Sequence, residues 1–226
     1  LIILLTILKG LKHLKPDFEA ITTFNNEIYI IASGSSKNRN SLIILDNETH
    51  AVLSTHDLTD LYTSMQYFSN IDAAEFNIEG LIVTQNESYF FQRGNGKNAH
   101  NGIFIVNGDI FSGEYSLTYK KIKLPKTKGV RYGFTDALLI DDTIYFLAAA
   151  EKSKSTYADG KILGSILGKI NLETLKIEDT QLISTNQKFE GITIKKLDKH
   201  HLEFLLSEDN DSGKTTSKIY KLTQEF

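Results

Sequence analysis

Four short stretches of this chain place a carboxylate at the head of an apolar run. They are "DFEAI", "NIEGL", "GFTDALL" and "KFEGITI", and the groups are Glu19, Glu79, Asp136 and Glu190, at intervals of 60, 57 and 54 residues. If the four runs are equivalent strands around one axis, the carboxylates converge. Two such groups about 5 Å apart repel by roughly 3 kcal/mol at an effective dielectric near 20. A ring of four therefore needs a cation, a counter-charge, or protons on some of its members. Hard oxygen donors in a ring suit Ca²⁺, with Mg²⁺ as the second candidate, so all four are candidate metal ligands. The alternative is that each carboxylate accepts backbone N–H bonds from the next repeat and fixes the spacing.

A second chemical feature is the arginine distribution. Only Arg39, Arg93 and Arg131 occur; two sit in polar loops ("SGSSKNRN", "RGNGKNAHN") and the third just precedes Asp136 in "GVRYGFTDA". A guanidinium offers a planar fork to phosphate or carboxylate, which lysine does not. Backbone N–H groups around Asn95 add a place for an anion. With Glu151 on the same expected face, Arg39, Arg93, Arg131 and Asn95 make up the candidate substrate-binding set. "SEDNDSG" looks acidic and calcium-like but lacks the spacing and closing Glu of a helix–loop–helix calcium loop, and reads as a surface loop.

The elements that position these groups repeat as well. After each carboxylate come a strand, a tight turn, a strand, a longer polar loop, a strand, a turn and a further strand. The strands are short and rich in Ile, Leu, Tyr and Phe, with Asn, Asp and Gly between them. This organisation predicts an all-β protein, a β-propeller forming one domain over residues 1–226. Its repeats fall at approximately 16–58, 76–124, 132–184 and 187–226, with inner strands opening near residues 20, 80, 137 and 191. The window 61–76 is the one candidate for a short helix. The fourth repeat stops after three strands. Residues 1–9 ("LIILLTILK") then either close a four-bladed ring or are the remnant of a lost fifth blade.

Composition narrows the function classes. A net charge of −3 gives no basic footprint for nucleic acid or anionic membrane. No apolar run reaches the roughly 18 residues of a membrane span. Cysteine is absent, which removes thiol catalysis and thiolate metal sites. The histidines lack metalloprotease spacing, and no phosphate loop, nucleophile elbow or dinucleotide fingerprint occurs. The chain opens without Met, inside what reads as a strand, so missing N-terminal sequence is expected and the compartment stays open.

"DFEAI", "EGLIV…YFFQRGNG", "FTDALL…IYFLAAAE…DG…GSILGKI" and "KFEGITI…FLLSEDND" together resemble an uncharacterised family of bacterial β-propellers near the phytase-like and SdiA-regulated groups. The plan is similar to five-bladed calcium-activated nucleotidases (apyrases) and, more loosely, to six-bladed gluconolactonases. The resemblance implies five blades with an incomplete first one, and a channel Ca²⁺ held at Glu19, Glu79, Asp136 and Glu190. It assigns no catalytic residue. Two functions follow as expectations. One is a metal-dependent hydrolase of a small anionic substrate, a phosphoester or a lactone. The other is a non-catalytic propeller that binds a ligand or protein on the same face, with a structural metal or none.

Overall fold

The computed structural model describes residues 16–94, 98–152, 160–198, 201–209 and 216–225. Four antiparallel sheets follow one another along the chain. The first joins β1 (Phe18–Phe24), β2 (Glu27–Ala32), β3 (Ser41–Asp46) and β4 (Val52–Asp57) in sequence order. Helix α1 (Thr59–Ser69) leads to β5 (Ile78–Val83), β6 (Glu87–Gln92), β7 (Gly102–Asp109) and β8 (Glu114–Lys121). A small hairpin, β9 (Lys126–Thr127) and β10 (Val130–Arg131), precedes β11 (Gly133–Ile140), β12 (Thr143–Lys152), β13 (Lys161–Asn171) and β14 (Ile177–Ser184). The last sheet holds β15 (Lys188–Leu197), β16 (His201–Asp209) and β17 (Ile219–Glu225).

The apolar pattern explains why these sheets stack side by side. Along β12, Ile144, Phe146 and Ala148 face the second sheet, while Tyr145 and Leu147 face the fourth. Strand β6 does the same, with Phe90 on one side and Tyr89 and Phe91 on the other. Period-two alternation between two apolar sets buries both faces of a blade, so the strands read as continuous hydrophobic runs. Three cores result, one between each pair of successive blades. Phe91, Phe134 and Phe146 cross the second of them in edge-on pairs 5.4 and 5.1 Å apart. Helix α1 adds Leu61, Tyr62 and Met65 to the first core, and the Tyr62 hydroxyl donates to the Ala32 carbonyl at 2.8 Å.

The inner strands β1, β5, β11 and β15 lie side by side around one channel. Their far ends line a cavity of about 720 Å³ with Ile21, Phe24, Ile82, Leu138 and Ile194 among its walls. This is a four-bladed β-propeller arrangement. Among the described residues there are four blades, the alternative to five; the first of them has all four strands and the last has three. Residues 1–9, expected to close the ring or to be a remnant, lie outside the described residues. Three inner strands open within three residues of expectation, at Phe18, Ile78 and Lys188, but the third opens four residues early, at Gly133.

Candidate functional site

The opposite end of the channel carries the charge. Each inner strand slips by one residue against its partner as it enters the sheet: between Phe18 and Ala20, Ile78 and Gly80, Phe134 and Asp136, and Phe189 and Gly191. The unpaired residues of these four β-bulges are Glu19, Glu79, Thr135 and Glu190. A bulge re-aims a side chain and ends regular pairing, which is how a polar group is placed at the mouth of a packed strand. Small neighbours allow the strands to close up: a Cβ on Gly80 would stand 3.2 Å from the Ala137 backbone nitrogen.

The third repeat departs from the carboxylate pattern. Its bulge residue is Thr135, whose hydroxyl donates to the Phe189 carbonyl of the next blade at 2.7 Å. Asp136 stands one position on, where the other repeats have Ala20, Gly80 and Gly191. Both its oxygens accept backbone N–H bonds at 2.8 Å, Oδ1 from Ala137 and Oδ2 from Ile192 on β15. Burial pushes its carboxyl up to about 8, with those two bonds opposing. Asp136 thus joins blade three to blade four through backbone bonds, the bracing arrangement that stood as the alternative to metal ligation.

Arg93 occupies the centre of the mouth. It leaves the end of β6 and passes over Gly133, where a Cβ would lie 3.0 Å from its Cγ. Nη1 donates to Glu79 Oε1 at 2.9 Å, and Nη2 to Glu151 Oε2 at 3.0 Å. Glu190 Oε1 lies 3.7 Å from Nη1, so one guanidinium ties carboxylates from three blades. Glu79 Oε1 also accepts from Asn77 Nδ2 at 2.6 Å, whereas the buried Glu79 Oε2 has no hydrogen-bond partner. Lys188 supplies the second cation, 2.5 Å from Glu190 Oε1 and 3.4 Å from Asp209 Oδ2.

The other sequence candidates are divided. Arg39 is at the same end but belongs to blade one, where Nη1 donates to Asp17 Oδ2 at 2.6 Å and Ser35 Oγ at 2.9 Å. Arg131 turns away: its Nη1 donates to the Leu124 carbonyl at 2.8 Å, and it lines a separate cavity with Lys121, Lys123 and Lys126. The three arginines therefore do not form one clamp. Asn95 lies outside the described residues. Sequence reasoning missed Lys188, Asp17 and Asn77, although a signal was present. Each stands two residues before a bulge, as Gly133 does, and each serves the arginine–carboxylate cluster: Asp17 holds Arg39, Asn77 holds Glu79, Lys188 holds Glu190 and Gly133 makes room for Arg93.

Electrostatics separate the glutamates. Burial, then the charges of Glu79, Asp17 and Glu190, push the Glu19 carboxyl up to about 9, with Arg93 opposing only in part. Glu190 is also raised by burial, but Lys188 and Arg93 pull back, and it reaches about 7. Glu79 and Arg93 have side chains only 4% and 5% exposed, whereas Glu190 is 22% exposed and open to a ligand. As a divalent-metal site the donor set fits poorly. Glu79 Oε1 and Glu190 Oε1 face bound cations, Asp136 faces backbone, and among the described residues no group of three or more acidic or histidine side chains is arranged to hold a metal ion. Among those residues no helix is long and apolar enough to cross a membrane.

Radial antiparallel blades whose inner strands carry a charged mouth define a β-propeller with a channel-end site. The chain belongs to a family of unknown function (DUF6929), whose model matches residues 6–223. No curated protein matches it significantly. Among solved structures it is similar to an alpha-L-arabinofuranosidase (CtGH43) from Clostridium thermocellum. That likeness has a TM-score of 0.53 and 14% identity, over 92% of this chain and 68% of the other. A GH43_1 enzyme from Xanthomonas citri, complexed with xylose, gives 0.52 and 12%, over 92% and 69%. At such identities the likeness establishes the fold.

Proposed function

We propose that the charged mouth is the active site of a hydrolase that works by carboxyl acid–base chemistry on an uncharged oxygen-linked substrate, a glycoside or a lactone. The observation behind this reading is that three bulged glutamates, Glu19, Glu79 and Glu190, come from three blades to one mouth, with Arg93 fixed between them. Glu19, kept protonated, serves as the general acid that protonates the leaving oxygen. Glu190, ionised and held by Lys188, serves as the base that activates water. Two carboxyl groups whose environments drive their proton affinities apart are a recurrent way to run both roles near neutral pH. Glu79 and Arg93 lie beneath and set the local field. The solved neighbours include an enzyme named for arabinofuranoside cleavage, which fits this class of substrate.

A phosphoester, the other anionic-substrate expectation, suits this mouth less well. Each cation there already has a carboxylate partner: Arg39 with Asp17, Arg93 with Glu79 and Glu151, and Lys188 with Glu190. The Ca²⁺ expected for a carboxylate ring is likewise replaced, in this reading, by the guanidinium of Arg93 and the ammonium of Lys188.

The test is a screen of aryl glycosides, lactones and aryl phosphates, run with added Ca²⁺ and with chelator. Glycoside or lactone turnover is expected, unaffected by chelator and reduced about 10²–10⁴-fold in Glu19→Gln and Glu190→Gln. The rate should rise through the Glu190 titration near pH 7 and fall through that of Glu19 near pH 9. Turnover confined to aryl phosphates and abolished by chelator would favour the metal-dependent reading. No turnover on any class, with both variants folded, would leave a binding propeller.

A further inference from the structure

A second charged region lies away from the channel mouth. The segment "KKIKLPKTKGVR" (120–131) holds Lys120, Lys121, Lys123, Lys126, Lys128 and Arg131 and no acidic residue, in a chain of net charge −3. The end of β8 and the β9–β10 hairpin fold this segment around a cavity of about 680 Å³. Its walls include Lys121, Lys123, Lys126, Arg131 and Asn98, with no carboxylate among the described residues. That volume is within the range of about 300–1,000 Å³ usual for small-molecule sites.

The hairpin carrying two of these cations is built tightly. Its two central residues, Lys128 and Gly129, both have positive φ, 49° and 81°, the backbone of a two-residue primed turn that matches strand twist. The register then sets Arg131 directly opposite Lys126. Like charges directly opposite in an antiparallel pair are unfavourable. Among the described residues neither of these two side chains, nor Lys121 or Lys123, has a carboxylate partner, and Arg131 Nη1 donates to the Leu124 carbonyl. That bond aims the guanidinium plane and leaves its other N–H groups for an acceptor.

We propose that this cavity binds a small phosphorylated ligand, with Arg131 gripping a phosphate through its planar fork and Lys121, Lys123 and Lys126 neutralising the remaining charge. A guanidinium recognises phosphate oxygens in pairs, and clustered ammonium groups add charge without direction. A ligand of this kind removes the repulsion that the bare hairpin holds. The cations face a concavity instead of forming a strip, and the remainder of the chain is net acidic, which favours a compact anion over a long polymer. The site is separate from the glutamate mouth and takes an anionic ligand where the mouth takes an uncharged one.

Inorganic pyrophosphate titrated calorimetrically at low ionic strength tests the proposal. Saturable one-site binding is expected, weakening as salt is added. Affinity should drop at least tenfold in Lys123→Gln/Lys126→Gln and several-fold in Lys121→Gln, while Glu190→Gln at the channel mouth binds as the parent does. These lysines are exposed, so the variants should melt at or slightly above the parent temperature without ligand. Absence of saturable binding overturns the proposal, and so does binding that is unchanged in the lysine variants. Tight binding of heparin without binding of pyrophosphate also overturns it, in favour of an extended polyanion surface.

Discussion

Arg93 shows how much one residue can organise. Its guanidinium is buried among Glu79, Glu151 and Glu190, so its removal strands carboxylates that have left water. Breaking one side of a buried ion pair typically costs about 3–5 kcal/mol, far more than an exposed pair is worth. Arg93→Met should therefore destabilise the protein by about that amount in denaturant melts. Adding Glu79→Gln to Arg93→Met should recover part of the loss, because the stranded charge goes with it. Additive losses would mean that the pair is not coupled. At this scale the sequence was partly legible. Glu19, Glu79 and Glu190 were found because a carboxylate before a packed strand is conspicuous. Asp136 stands one position past the bulge: aligned by its aromatic residue against "FEA" and "FEG", "FTDA" puts Thr135 there. Lys188 and Asp17 escaped because charged residues in front of a strand look like solvated ends, and only the fold turns them inward.

At the scale of the element, alternation along the strands did most of the specifying. Runs such as "IYFLAAA" could have been buried helix or strand by hydrophobicity alone, and the β-branched and aromatic content with polar punctuation decided for strand. The helix at Thr59–Ser69 overlaps the 61–76 window but starts before it and ends well short of its end; Leu61, Tyr62 and Met65 are the residues it buries. Blade number was not legible. It depends on how the ring closes, which short-range pattern does not record. Within a blade, close packing can be tested at Gly168 on β13. A Cβ there would come within 2.1 Å of the Phe146 ring, which is itself wedged against Phe134. With no room for the ring to retreat, Gly168→Ala should cost about 1–3 kcal/mol through overpacking, despite a methyl group being the smallest addition. A melt within 0.5 kcal/mol of the parent would show that this core is looser than the geometry implies.

For the molecule as a whole, the channel couples folding to pH. The folded chain holds the carboxyls of Glu19, Asp136 and Glu190 at about 9, 8 and 7, above the ordinary values of 4.5, 3.8 and 4.5, chiefly through burial. Between those limits the native state binds protons that the unfolded chain has released. Stability then falls as pH rises, by up to about 1.4 kcal/mol per pH unit for each proton in excess. The contribution of these groups is complete below pH 4 and is lost progressively toward pH 9. At the acid end, Asp46, Asp57 and Glu203 work in the other direction, since hydrogen bonds lower their carboxyls and acid removes what they add. The melting temperature should accordingly peak near pH 5 and decline through neutrality to pH 9. Glu19→Gln removes the group whose proton affinity is raised furthest. It should flatten that decline and raise the melting temperature at pH 8–9, while lowering the turnover assigned to the general acid by about 10²–10⁴-fold. A parent whose melting temperature is level from pH 5 to pH 9 would mean that the mouth is open enough for water to screen its carboxyls. A variant as pH-sensitive as the parent would move the effect to Asp136 and Glu190. The opposed response of stability and activity to one substitution is the signature of a charge kept in place for chemistry and not for the fold.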